Sequence, residues 1–109
     1  MKDIIKKEFE DYDGLRKCYD NLFKLLQEKT LMVSPGSIKT EGGSSPNSYR
    51  SYRMASFLVP LSNPATIYLI SEEIHSHYVS VTLEDKLIKN DEDKKTIEEI
   101  CNLIKEIVK

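Results

Sequence analysis

A chain of 109 residues has room for one ordinary domain and no second. With 39% hydrophobic and 31% charged residues it carries too much apolar material, and too even a charge, for wholesale disorder. A net charge of −2 argues against a protein that holds duplex DNA by phosphate neutralisation alone. No apolar run approaches the roughly 18 residues of a membrane span.

The charge is unevenly spread. Residues 1–33 balance 7 basic against 7 acidic groups, residues 34–70 carry 3 against 1, and residues 71–109 carry 6 against 10. Only a local anion-facing patch in the middle third fits that distribution. The chain opens Met1-Lys2-Asp3 with no signal-like apolar block, so a cytoplasmic protein with no membrane partner is expected.

The first expected element is a helix from Asp3 to Lys29. Ile5, Tyr12, Tyr19 and Leu26 recur every seven residues, with Leu15 and Leu22 between them and Phe9 and Phe23 widening the stripe. Asp13 before Gly14 offers a place for a kink or a fresh N-cap. Leu31-Met32-Val33 opens a short strand. Residues 34–48, with three Gly, two Pro and five Ser, read as a long flexible loop.

Residues 49–59 alternate as a strand, with Tyr52, Met54 and Leu58 on one face and Ala55, Phe57 and Val59 on the other. Residues 65–70 read as a strand, against a rival reading in which Asn63 caps a helix that starts at Pro64. Residues 74–83 alternate most cleanly, Val79, Val81 and Leu83 facing one way. Asn90 or Asp91 then caps a last helix whose stripe is Ile97, Ile100, Cys101, Ile104, Ile107 and Val108. The expected fold is α+β in the order α-β(β)ββ-α. Its N-terminal and C-terminal helices pack on a small antiparallel sheet of three to four strands, which leaves the other face of the sheet to solvent or a partner.

For chemistry, His75 and His77 share one face if they lie on a strand. An HxH pair can offer two imidazoles to a metal, with Glu72 or Glu73 as a third ligand. That spacing arises on any strand bearing two histidines, so solvent-edge histidines explain it equally well. The many serines lack a nucleophile-elbow setting, and Gly42-Gly43 lacks the strand-to-helix context of a phosphate loop. Cys18 and Cys101 fall on helical apolar faces as buried thiols in a reducing compartment. No cofactor is expected.

Two binding readings remain. Tyr49-Arg50-Ser51-Tyr52-Arg53 interleaves aromatics with arginines, a pattern that stacks bases and contacts phosphates, and with Lys39 it makes a nucleic-acid interface. On a strand, Arg50 and Tyr52 share one face and Tyr49 and Arg53 the other, so the five cannot form one platform. The other reading starts from the helical seam. A helix of about 27 residues spans roughly 40 Å, more than a small sheet covers, which leaves Phe9, Tyr12 and Tyr19 for another chain.

The expected function is therefore a non-enzymatic protein-interaction module. It would be an adaptor, inhibitor or regulator contacting a protein partner through Tyr12, Tyr19, Tyr49, Arg50, Tyr52 and Arg53, and pairing as a homodimer through helical faces. A nucleic-acid-binding regulator and a small metal-dependent enzyme are the alternatives. An accessory protein of a phage or mobile element would fit the size and composition.

Overall fold

The computed structural model describes residues 2–41, 50–73 and 76–109, with backbone alone described for 35–41 and 50–51. The chain runs β1 (Lys2–Glu8), α1 (Tyr12–Lys29), β2 (Leu31–Glu41), β3 (Arg50–Val59), β4 (Ala65–Glu72), β5 (Tyr78–Glu84) and α2 (Asp91–Val108). The class is α+β as expected, with five strands in one antiparallel sheet of order β1-β5-β4-β3-β2. Strands β2 to β5 form a meander. Strand β1 adds beside β5, so the first strand pairs with the last, and α1 carries the chain from one edge of the sheet to the other.

The beginning of the chain is where the structure departs most from the sequence reading. Residues 2–8 form a strand, and the helix begins at Tyr12. Ile5 sits opposite Val81 and Lys7 opposite Val79, on the face that packs under the helices. Ile5, Phe9 and Tyr12 fit a helical period equally well, because seven residues are too few to separate a period of 2 from one of 3.6. The turn that ends the strand is fixed by Phe9 N–H donating to the His77 carbonyl at 2.7 Å.

Asp11, rather than Asp13, is the N-cap, its Oδ1 accepting from Gly14 N–H at 2.7 Å. A Cβ at Gly14 would lie 3.1 Å from that oxygen and 3.3 Å from the Phe9 ring, so glycine lets the cap close tightly. At the far end Thr30 stops the helix, its N–H and its hydroxyl both donating to the Leu26 carbonyl.

Residues 34–41, expected as loop, continue β2. Their register against β3 shifts twice between Met32 and Ser37, around Pro35 and Gly36, which is how a strand absorbs residues that fit a ladder poorly. The rest of the expected loop, residues 42–48, lies outside the described residues. Residues 65–72 are strand β4 rather than a helix from Pro64.

The core lies between the sheet and both helices, which pack on the same face. Its sheet layer is Ala55, Phe57 and Val59 of β3, Ala65, Ile67 and Leu69 of β4, and Val79, Val81 and Leu83 of β5. Leu15, Leu22 and Leu26 of α1 and Ile97, Ile100 and Ile104 of α2 close it from above. Asn90 caps α2 with Oδ1 on Asp93 N–H at 2.7 Å, while its Nδ2 donates to the buried Asp93 carboxylate at 2.9 Å. Lys7 Nζ donates to the Val108 carbonyl at 2.9 Å, tying β1 to the negative end of α2. Among the described residues no helix covers the opposite face, where the register lines up Lys6, Ser80, Ile70 and Met54 in one row and Glu8, Tyr78, Glu72 and Tyr52 in the next. Among the described residues no helix is long and apolar enough to cross a membrane.

Candidate functional site

Register puts Arg53 on the helix-covered face, in the row Lys7–Val79–Ser71–Arg53 at the end of the sheet where α1 begins. From α1, Arg16 and Tyr19 are three residues apart and therefore neighbours on one side of the helix. Together these elements build a polar cluster against the core. Tyr19 is 3% exposed, its ring stacked on Phe23 at 6.3 Å between centroids, and Phe23 meets Phe57 edge-on at 5.5 Å. Two guanidinium groups flank that tyrosine, Arg53 at 5.9 Å and Arg16 at 6.0 Å from the ring centroid, the outer range of a cation–π contact.

Arg16 lies between two carboxylates without a hydrogen bond to either, Nε 3.8 Å from Asp20 and Nη1 3.9 Å from Glu73. Glu73 Oε1 accepts from the Ser71 hydroxyl at 3.3 Å. Arg16 Nη1 and the Tyr19 hydroxyl are buried and have no hydrogen-bond partner among the described residues. Burial pushes the Tyr19 phenol up; Arg53 and Arg16 oppose that rise, and Glu73 and Asp20 add to it. The hydroxyl therefore keeps its proton and remains a donor near neutral pH.

A second feature is the free edge of β2. Leu31, Met32 and Val33 are 58%, 41% and 65% exposed, on a strand that among the described residues is paired on one side only. The other edge, β1, carries exposed Lys2, Lys6 and Lys7, the type of residue that discourages edge-to-edge pairing. One edge is guarded by charge, and the opening of the other is uncharged and apolar.

A third feature is a cleft of about 500 Å³ between β1 and α2, with Ile4, Ile88, Ile97 and Cys101 among its lining and Lys2 and Lys105 at its rim. Burial pushes the Cys101 thiol up against the opposing pull of Lys2 and Lys105, so it is a poor nucleophile at neutral pH. Burial likewise raises Cys18, and both cysteines are free.

The residues singled out from the sequence are dispersed. Tyr12 is 45% exposed on the first turn of α1, whereas Tyr19 is part of this chain's own core. The helix has 18 residues rather than about 27, and its stripe of Leu15, Cys18, Tyr19, Leu22 and Leu26 is buried against this chain. The length that suggested an uncovered helical seam is thus absent. Tyr52 stands opposite Lys39 and Glu72 in register, on the face away from the helices, while Arg53 turns to Tyr19 on the other. Arg50 lies opposite Glu41 in the backbone ladder. Tyr49 and His75 lie outside the described residues; His77 is half-buried at the foot of β5, its carbonyl holding Phe9.

Sequence reasoning missed Arg16 and Ser71, offered Glu73 only as a possible metal ligand beside His75 and His77, and missed Leu31–Val33 as a surface. The three-residue spacing of Arg16 and Tyr19 was the one available sign of the cluster. Comparison of the chain with protein-family models, curated proteins and solved structures gives no match.

Proposed function

We propose that this protein is a non-enzymatic protein-interaction module that receives an extended segment of a partner protein along the opening of β2. The observation that carries the reading is the run Leu31–Val33, three consecutive exposed apolar side chains on an unpaired sheet edge. An edge strand offers free backbone N–H and C=O groups, and an added strand gains main-chain hydrogen bonds while its side chains meet apolar neighbours on both faces. The absence of charge from Leu31 to Ser34 selects an uncharged, apolar segment.

Pro35 has no N–H to donate, and the register shifts at Val33 and again before Ser37, so pairing along this opening is confined to at most about four residues, roughly 13 Å of strand. A contact that short suits reversible association.

The test compares the parent chain with Val33→Lys. Partner capture from native extract, with and without nuclease, is combined with light scattering for self-association. The reading expects a protein retained by the parent through nuclease treatment and lost by the variant. Equal retention by both chains refutes it. Recovery of nucleic acid alone would shift the reading to Lys39, Tyr49, Arg50 and Arg53, and a dimer lost in the variant would make a second copy the occupant of the edge.

A further inference from the structure

We propose that Arg16, Tyr19 and Arg53 form a binding site for a small oxyanion of the phosphate or carboxylate class. This site is separate from the β2 edge and is marked by hydrogen-bonding groups that are left over. Arg16 Nη1 can only donate, the Tyr19 hydroxyl has a proton to donate, and among the described residues neither has an acceptor within hydrogen-bond distance, Glu73 Oε1 standing 3.9 Å from Arg16 Nη1. Among the described residues Arg53 has no ion-pair partner, its guanidinium resting against the Tyr19 ring.

Buried polar groups in native proteins are paired with protein, water or an ion, and these two orphans belong to one cluster, the Arg16 guanidinium lying 6.0 Å from the Tyr19 ring centroid. What is missing is an acceptor. A water would accept from two donors and pass its protons to Glu73, whereas an oxyanion offers charged acceptors to both guanidiniums at once. Arginine forks match planar or tetrahedral oxyanions in two-point contact.

Charge points the same way. Asp20 is exposed and screened by solvent. Two guanidiniums thus stand against the half-buried carboxylate of Glu73 and the more strongly screened one of Asp20, so the local balance leans positive. Glu73 opposes a doubly charged ligand and so favours a monoanion. Arg16 is only partly covered, at 37% side-chain exposure, and Arg53 is likewise half-buried. Solvent therefore reaches both arginines, while Tyr19 is buried.

The experiment is an amide and arginine-side-chain NMR titration of the full chain with inorganic phosphate and, separately, with acetate, at ionic strength held constant with sodium chloride. Parent, Tyr19→Phe, Arg53→Gln and Glu73→Gln are compared. Tyr19→Phe keeps the ring in the core and removes only the donor.

The expected result is saturable shifts at Arg16, Tyr19 and Arg53 with at least one of the two anions below about 10 mM. Affinity should fall about five-fold or more in Tyr19→Phe, fall further in Arg53→Gln, and rise several-fold in Glu73→Gln. Saturation by phosphate alone assigns the phosphate class and by acetate alone the carboxylate class. Unsaturated shifts spread over surface lysines, or equal affinity in parent and variants, overturn the site.

Discussion

The cap of α2 gives the sharpest quantitative expectation. Asn90 makes two contacts with Asp93, one to its backbone N–H at 2.7 Å and one to its carboxylate at 2.9 Å, and Asp93 is 6% exposed. Asn90→Ala removes both. Loss of a helix N-cap costs about 1 kcal/mol, and loss of a hydrogen bond to a charged group roughly 1.5–3 kcal/mol. Water reaches part of the site, so a total of about 2–3 kcal/mol is expected, equivalent to roughly 10–20 °C in melting temperature for a domain of this size. Asn90→Ser keeps an oxygen for the cap but has no amide to give the carboxylate, and should recover about 1 kcal/mol of the loss. Urea and thermal melts followed by circular dichroism read both variants. If Asn90→Ser melts with the parent, the amide–carboxylate bond contributes nothing. If Asn90→Ala costs less than about 0.5 kcal/mol, the cap reasoning as a whole is refuted.

Other expectations follow from burial and position. Phe57→Ala opens a cavity beneath Phe23 at a fully buried site and should cost about 3–5 kcal/mol by urea unfolding; a loss under about 1 kcal/mol would mean that Phe23 collapses into the space. Val33→Lys, at a side chain 65% exposed, should leave stability within about 0.5 kcal/mol of the parent while abolishing partner capture, and a large drop in melting temperature would show Val33 to be structural. The ordinary values are 9.0 for Cys18 and Cys101 and 10.0 for Tyr19, and all three are raised on folding, so the unfolded chain loses these protons first. The stability they contribute is complete below about pH 9 and declines as pH rises through the folded values; urea midpoints that stay flat from pH 7 to above 10 would contradict this. At pH 7 both thiols should react with iodoacetamide more slowly than in the urea-unfolded chain, and equal rates would show that neither is shielded.

Local signals carried much of the fold. The alternation at Ala55, Phe57 and Val59, and again at Val79, Val81 and Leu83, placed those side chains on the buried face, and Asn90 marked the start of α2. Two segments read wrongly for different reasons. Lys2–Glu8 has only two isoleucines to set its period, and its strand character comes from pairing with β5, about 80 residues away. Residues 34–41 have loop composition, and they are strand because β3 supplies a ladder to pair with.

The candidate sites were harder to see. Tyr19 stood out as an aromatic on an apolar stripe, the same property that makes it a core residue. What sets it apart is the arrival of Arg53 from β3 and Glu73 from beyond β4, a convergence set by the path of α1 over the sheet. The edge at Leu31–Val33 was legible as an apolar run, but its exposure depends on β2 ending the sheet, which follows from strand order alone.

That strand order also has a kinetic side. Because β1 pairs with β5, the seven residues at the front of the sheet have no ladder partner until the whole meander has been assembled. The β2–β5 meander closes by short hairpins and can form first, whereas seating β1 closes a loop of about 80 residues. A half-assembled molecule therefore displays the β5 edge, apolar on the core side through Val79, Val81 and Leu83, to any strand that reaches it. The β1 of a neighbouring copy carries the same residues as the chain's own. At high concentration during refolding the exchange of first strands between molecules competes with folding, and dilution favours the self-contained domain.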